Sequence, residues 1–121
     1  MSLALKHQTA TIANGTSLSN GVLIGDMALC GLLMSAAWTA ASLSFQISFD
    51  DGVTWNDLYS DAGVEQVLVV TAPAGKYLAL DPSQFAGITM IKIRSGVTGV
   101  PVNQGADRVL TLVSRKFYAL H

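Results

Sequence analysis

A chain of 121 residues has room for one domain and one core. Half of it is hydrophobic, only 12% is charged, and the mean hydropathy is +0.44, more apolar surface than one small domain hides, which points to contacts with further chains. A net charge of −1 with a pI near 6.0 excludes the positive field that a nucleic-acid binder needs.

In chain order the period is two, the signature of strands with one buried face. Leu3 to Ile12 is the first such run. The amino terminus MSLALKHQTATIANG turns polar after Lys6 and has no apolar core followed by a small-residue cleavage site, so no secretory signal is expected. Residues 1–121 read as a single domain, with 1–15 open to a second reading as an extended amino-terminal arm. Val22 to Ile24 and Met27 to Ser35 follow. The only cysteine, Cys30 in MALCGLL, excludes an internal disulfide or a Cys-rich zinc site and reads as a small buried hydrophobe rather than a reactive thiol. Met27 to Phe45 holds 19 uncharged residues, near membrane-spanning length. Gly31, Ser35, Thr39, Ser42 and Ser44 dilute that stretch and no Lys or Arg anchors it, so no membrane span is expected.

In SLSFQISF, Leu43, Phe45, Ile47 and Phe49 alternate with Ser42, Ser44, Gln46 and Ser48, the clearest strand in the chain. Thr54 to Tyr59, Val64 to Val70, Tyr77 to Leu80, Thr89 to Ser95 and Arg108 to Phe117 complete about eight or nine short strands. Between them lie turn clusters at Asn14-Gly15, Asn20-Gly21, Asp51-Gly52, Asp61-Ala62-Gly63, Pro73-Ala74-Gly75 and Gly96 to Gly99, a rhythm of roughly 8–12 residues that belongs to an all-β fold. The expected architecture is an antiparallel, jelly-roll-like β-sandwich. Asp81-Pro82 starts one short helical turn, with Asp81 as its cap. Gly96 to Ala106 reads as a long exposed loop.

The stretch SFDDGVTW, residues 48–55, matches the Asp-box pattern Ser48-x-Asp50-x-Gly52-x-Thr54-Trp55 that is familiar from sialidases and other secreted β-proteins. Each residue type has a turn role: Gly52 takes a positive φ, Asp50 accepts backbone N–H groups, Ser48 and Thr54 tie the two arms, and Trp55 packs beneath them. The box is therefore expected to be structural, with ligand binding at this edge as the alternative. Asp50, Asp51, Asp57 and Asp61 crowd together, but their spacing does not follow a calcium loop, and a solvated turn is the plainer reading.

Catalysis finds little support. His7 and His121 are the only histidines, neither lies in a motif, and the eight acidic residues sit mostly in turns, so no acid–base pair, cofactor site or enzyme activity is expected.

AWTAASLSFQISFDDGVTWNDLYSDAGVEQVLV and the segment from Ala74 to Arg115, together spanning roughly residues 36–116, resemble small structural proteins encoded among the head and tail genes of tailed bacteriophages and prophages. The resemblance is carried by the single box hairpin, Tyr77-Leu-Ala-Leu-Asp-Pro, Ile91-Lys-Ile-Arg-Ser-Gly, and Pro101-Val-Asn-Gln-x-x-Asp-Arg. It implies a virion component made in the host cytoplasm, most simply a capsid decoration or cement protein bound to the major capsid protein. A homotrimer is expected, because such proteins often occupy local three-fold positions. Two alternatives stand beside it. One is a tail or fibre component; the other is a jelly-roll carbohydrate-binding module in which Trp38, Trp55, Tyr59 and Tyr77 are candidate sugar stackers.

Overall fold

The computed structural model describes residues 5–70, 75–85 and 87–116. Nine strands are present there: β1 (Leu5–Ile12), β2 (Val22–Leu23), β3 (Met27–Leu33), β4 (Leu43–Ser48), β5 (Asn56–Asp57), β6 (Tyr77–Ala79), β7 (Met90–Val97), β8 (Val100–Pro101) and β9 (Arg108–Lys116). They form two antiparallel sheets, β1-β9-β3-β6 and β2-β7-β4-β5, with β8 pairing only β7. With β8 set aside as a hairpin tip, the pairs β4–β5, β3–β6, β2–β7 and β1–β9 nest inside one another, as if one long hairpin had been rolled up. That is the strand order of a jelly roll, so the all-β sandwich expected from the sequence is present in its full topology.

Alternation builds the core. Ile12, Leu29, Leu32, Leu43, Phe45, Ile91, Ile93, Leu110 and Leu112 are fully buried between the sheets. Phe45 meets Phe85 edge to face, with centroids 5.2 Å apart at 81°. Phe85 belongs to the 3-10 turn Pro82–Phe85, where the Asp81 carboxylate accepts the Ser83 N–H at 3.0 Å as the expected cap.

Several sequence expectations are corrected. Val64 to Val70 is no strand; it touches the sheet at single bridges, Tyr59 to Glu65 and Leu43 to Leu68, on its way across to the other sheet. Thr54 to Tyr59 shrinks to Asn56–Asp57 because the preceding turn uses Thr54 and Trp55. Phe49 is 65% exposed rather than buried, since β4 ends at Ser48 and the turn breaks the parity. Cys30 is only half-buried: the register of β3 slips between Leu29 and Gly31, and its thiol reaches the Val113 carbonyl at 3.3 Å. Leu5–Ile12, within the stretch open to an arm reading, is strand β1 of the sandwich. Residues 2–4, 73–74 and 117–121, His121 among them, lie outside the described residues.

Candidate functional site

The box occupies the β4–β5 turn, at the end of the sandwich where Ile24 and Ser48 both bond Thr89. Ser48 is buried, and its hydroxyl donates to Asp50 Oδ1 at 2.7 Å while its oxygen accepts the Gly52 N–H at 2.8 Å. Asp50 Oδ1 also accepts the Thr54 N–H at 2.9 Å. These bonds, the Thr54 N–H first and the Ser48 hydroxyl next, hold the Asp50 carboxyl below the usual carboxylate range. Asp51 and Gly52 both take positive φ, 59° and 87°. Trp55 donates its indole N–H to the Gly52 carbonyl at 3.1 Å and lays its ring on the outer face of the second sheet. There Gly21 leaves room for it, since a Cβ would stand 3.0 Å from the ring, and Lys92 Nζ lies 4.4 Å from the ring centroid. Ser48, Asp50, Gly52, Thr54 and Trp55 are thus brought together, with their polar groups directed at the turn itself. Ser48 and Thr54 meet through Asp50 rather than each other.

The aspartates around the box do not converge. Asp57 turns to Arg94, which sequence reasoning did not single out. Arg94 lies on the outward parity of β7 yet is buried, with Asp57 at 2.5 Å, Thr98 at 2.8 Å, the Ser44 hydroxyl at 3.1 Å and Glu65 at 3.4 Å. Glu65 in turn accepts the Thr98 N–H and hydroxyl. The Arg94 guanidinium holds Asp57 below the usual carboxylate range. Among the described residues, no group of three His, Cys, Asp or Glu side chains gathers as metal ligands would.

A second hub was also missed. Gln104, 1% exposed inside the stretch read as a loose loop, bonds Thr39 through both side-chain atoms and Ser95 Oγ at 2.6 Å, and its backbone joins Gly15 and Thr16. Arg108 Nε adds a bond at 3.1 Å. Side chain and backbone of Gln104 together therefore tie the connections 13–21, 34–42 and 98–107 at the end of the sandwich opposite the box. Chemically, both hubs are braces.

The four candidate stackers are dispersed. Trp38 is buried in the core and Trp55 is half-buried on the second sheet. Tyr77 lies over Gly31 on the outside of the first sheet, and Tyr59 stands beside a cleft on the second.

The outer face of the first sheet carries several exposed apolar residues. Alternation points Leu5, His7 and Thr9 of β1, Val109, Thr111, Val113 and Arg115 of β9, Leu33 of β3 and Tyr77 of β6 the same way. Leu5, Leu33, Tyr77 and Val109 are each 40–53% exposed. Whereas Trp55 and the Arg94 brace lie on the second sheet, this face is uncovered among the described residues, with His7 and Arg115 as its basic groups. β1 is also the long edge of the sheet. Thr11 exchanges bonds with Asn20 on the side away from β9, so Thr9, His7 and Leu5, at the same parity, direct their backbone groups outward. β9, by contrast, is paired on both sides through Arg115, so it offers no free edge up to that residue.

Fold and surface together define a small jelly-roll β-sandwich in which, among the described residues, one sheet face is uncovered and one edge is open. Compared with known families and with curated proteins, the chain matches no family model and no curated sequence.

Proposed function

We propose that this protein is a structural component of a tailed-phage virion, a capsid decoration protein that stabilises the head by non-covalent contact with the major capsid protein and performs no chemistry. Its place is the outer capsid surface, and its self-association is trimeric. The observation that carries the reading is the outer face of the first sheet beside the edge of β1, an apolar surface next to backbone groups that have no partner among the described residues. Such an edge can take a strand from a neighbouring chain, with hydrogen bonds supplying attachment and the adjoining face supplying apolar contact. The resemblance over residues 36–116 supports the same reading.

Attachment falls to β1 rather than to β9. The ladder of β9 is already filled on both sides, and the part of the carboxyl end beyond Lys116 lies outside the described residues. Removing residues 2–12 would also strip Ala10 and Ile12 from the core, so a point change is the cleaner probe. Thr9→Pro removes an N–H that points outward and leaves the bonds to β9 in place, because proline is tolerated on the open side of an edge strand. Purified protein is expected to co-sediment with empty heads of the cognate capsid protein, with little change as salt rises, because few charges are available to steer it. Thr9→Pro is expected to fold and to lose co-sedimentation; wild-type protein that stays in the supernatant contradicts the proposal.

A further inference from the structure

We propose that the cleft beside Tyr59 binds neutral sugar residues of a glycan chain, a property independent of the virion reading. The cleft has a volume of about 380 Å³, within the range of roughly 300–1,000 Å³ that small-molecule sites occupy. Tyr59, Ser60, Asp61 and Gln66 line one wall, and Ser83 and Gln84 the other.

Both walls are preformed. Ser60 N–H to Val64 O at 2.8 Å, Gly63 N–H to Ser60 O at 3.0 Å and Gln66 N–H to Leu58 O at 3.0 Å close residues 58–66 into a tight hairpin. Leu58, which also lines the cleft, packs against the core and fixes the base of that hairpin. Ser83 and Gln84 sit in the 3-10 turn, held by the Asp81 cap and by Phe85 buried against Phe45. A ligand therefore orders little protein on arriving, which lowers the entropic cost of binding.

The lining selects the ligand class. The Tyr59 side chain, in a residue 50% exposed, offers a π face on which the C–H face of a pyranose can stack. Two carboxamides, the Ser60 hydroxyl and the Ser83 hydroxyl oxygen, whose proton goes to Asp81, offer donors and acceptors side by side, the complement of neighbouring sugar hydroxyls that each donate and accept. Among the described residues the lining holds one carboxylate and no Lys, Arg or His, and so offers no cation of the kind that a phosphorylated, sulfated or carboxylated ligand needs. Among the described residues Leu58 is its only aliphatic one, too little apolar lining for a lipid tail.

The test is a titration of the ¹⁵N-labelled protein with maltotriose, cellotriose, mannotriose and chitotriose, each to millimolar concentration, followed by amide shifts. The expected result is saturable shifts for at least one trisaccharide, centred on Tyr59, Ser60, Gln66 and Gln84. Tyr59→Ala is expected to weaken that binding roughly tenfold and Tyr59→Phe to retain it, since stacking needs the ring and not the hydroxyl. The same spectra report whether each variant is folded, and Gln66→Ala gives a second probe on the opposite side of the hairpin. Absence of saturable shifts with all four sugars, or equal affinity in the folded Tyr59→Ala variant, overturns the proposal.

Discussion

Arg94 and Asp57 meet at 2.5 Å on the outside of the second sheet, and the pair joins β7 to β5 across β4. Ser44 lies beneath the guanidinium and Glu65 and Thr98 beside it, so a single cation braces strands and two loops. Arg94 lowers the folded-state pKa of Asp57 below the ordinary 3.8. The stability contributed by the pair is therefore fully present above pH 3.8 and is lost as pH falls through the lower folded value. Thermal melts are expected to be level between neutral pH and about pH 5 and to fall steeply below about pH 4. A protein that becomes more stable on acidification to pH 3 contradicts this account of the brace.

Arg94→Ala leaves Asp57 and Glu65 facing each other without their cation. Side chains here are 9%, 29% and 14% exposed for Arg94, Asp57 and Glu65, so water screens the loss only in part. The expected cost is about 2–4 kcal/mol by chemical denaturation. Adding Asp57→Asn and Glu65→Gln to the same variant is expected to recover part of it, because the uncompensated charges are then gone.

In the box, Gly52→Ala is expected to cost about 1 kcal/mol or more, from the positive φ and from a Cβ that would stand 3.1 Å from Met90 Sδ. Asp50→Ala acts in the same direction by freeing the Thr54 N–H and the Ser48 hydroxyl. Denaturation of both variants checks this. Unchanged stability with loss of an added glycan or calcium ion would make the box a binding site instead of a turn.

What the sequence made legible was whatever depends on near neighbours. The alternation of Leu43, Phe45 and Ile47 displays a strand within six residues, and the turn roles of Ser48, Asp50 and Gly52 need only the eight residues of the box. Phe49 misled because alternation carries no mark of where a strand ends. Arg94, Asp57 and Glu65 were opaque because they lie 29 and 37 residues apart and meet only once the roll has closed. Gln104 hid for the same reason: its neighbours Asn103 and Gly105 look like loop, while Thr39, 65 residues away, supplies the partner that makes burial tolerable. The bare face was visible only as an excess of hydrophobic residues, without a place in the structure.

The proposed self-association would use that face. Light scattering of the purified protein is expected to give a trimer at micromolar concentration, with Val109→Lys shifting the population toward monomer. A monodisperse monomer for the wild-type chain counts against a trimeric unit.

Electron cryomicroscopy of heads incubated with the protein tests the virion assignment most directly. Empty heads of the cognate major capsid protein are imaged after saturation with the wild-type chain and, separately, with Thr9→Pro. The account predicts added density at regular lattice positions on the outer surface for the wild type and bare positions for Thr9→Pro. Heads left bare by the wild-type protein, or density confined to the tail of complete particles, would contradict it.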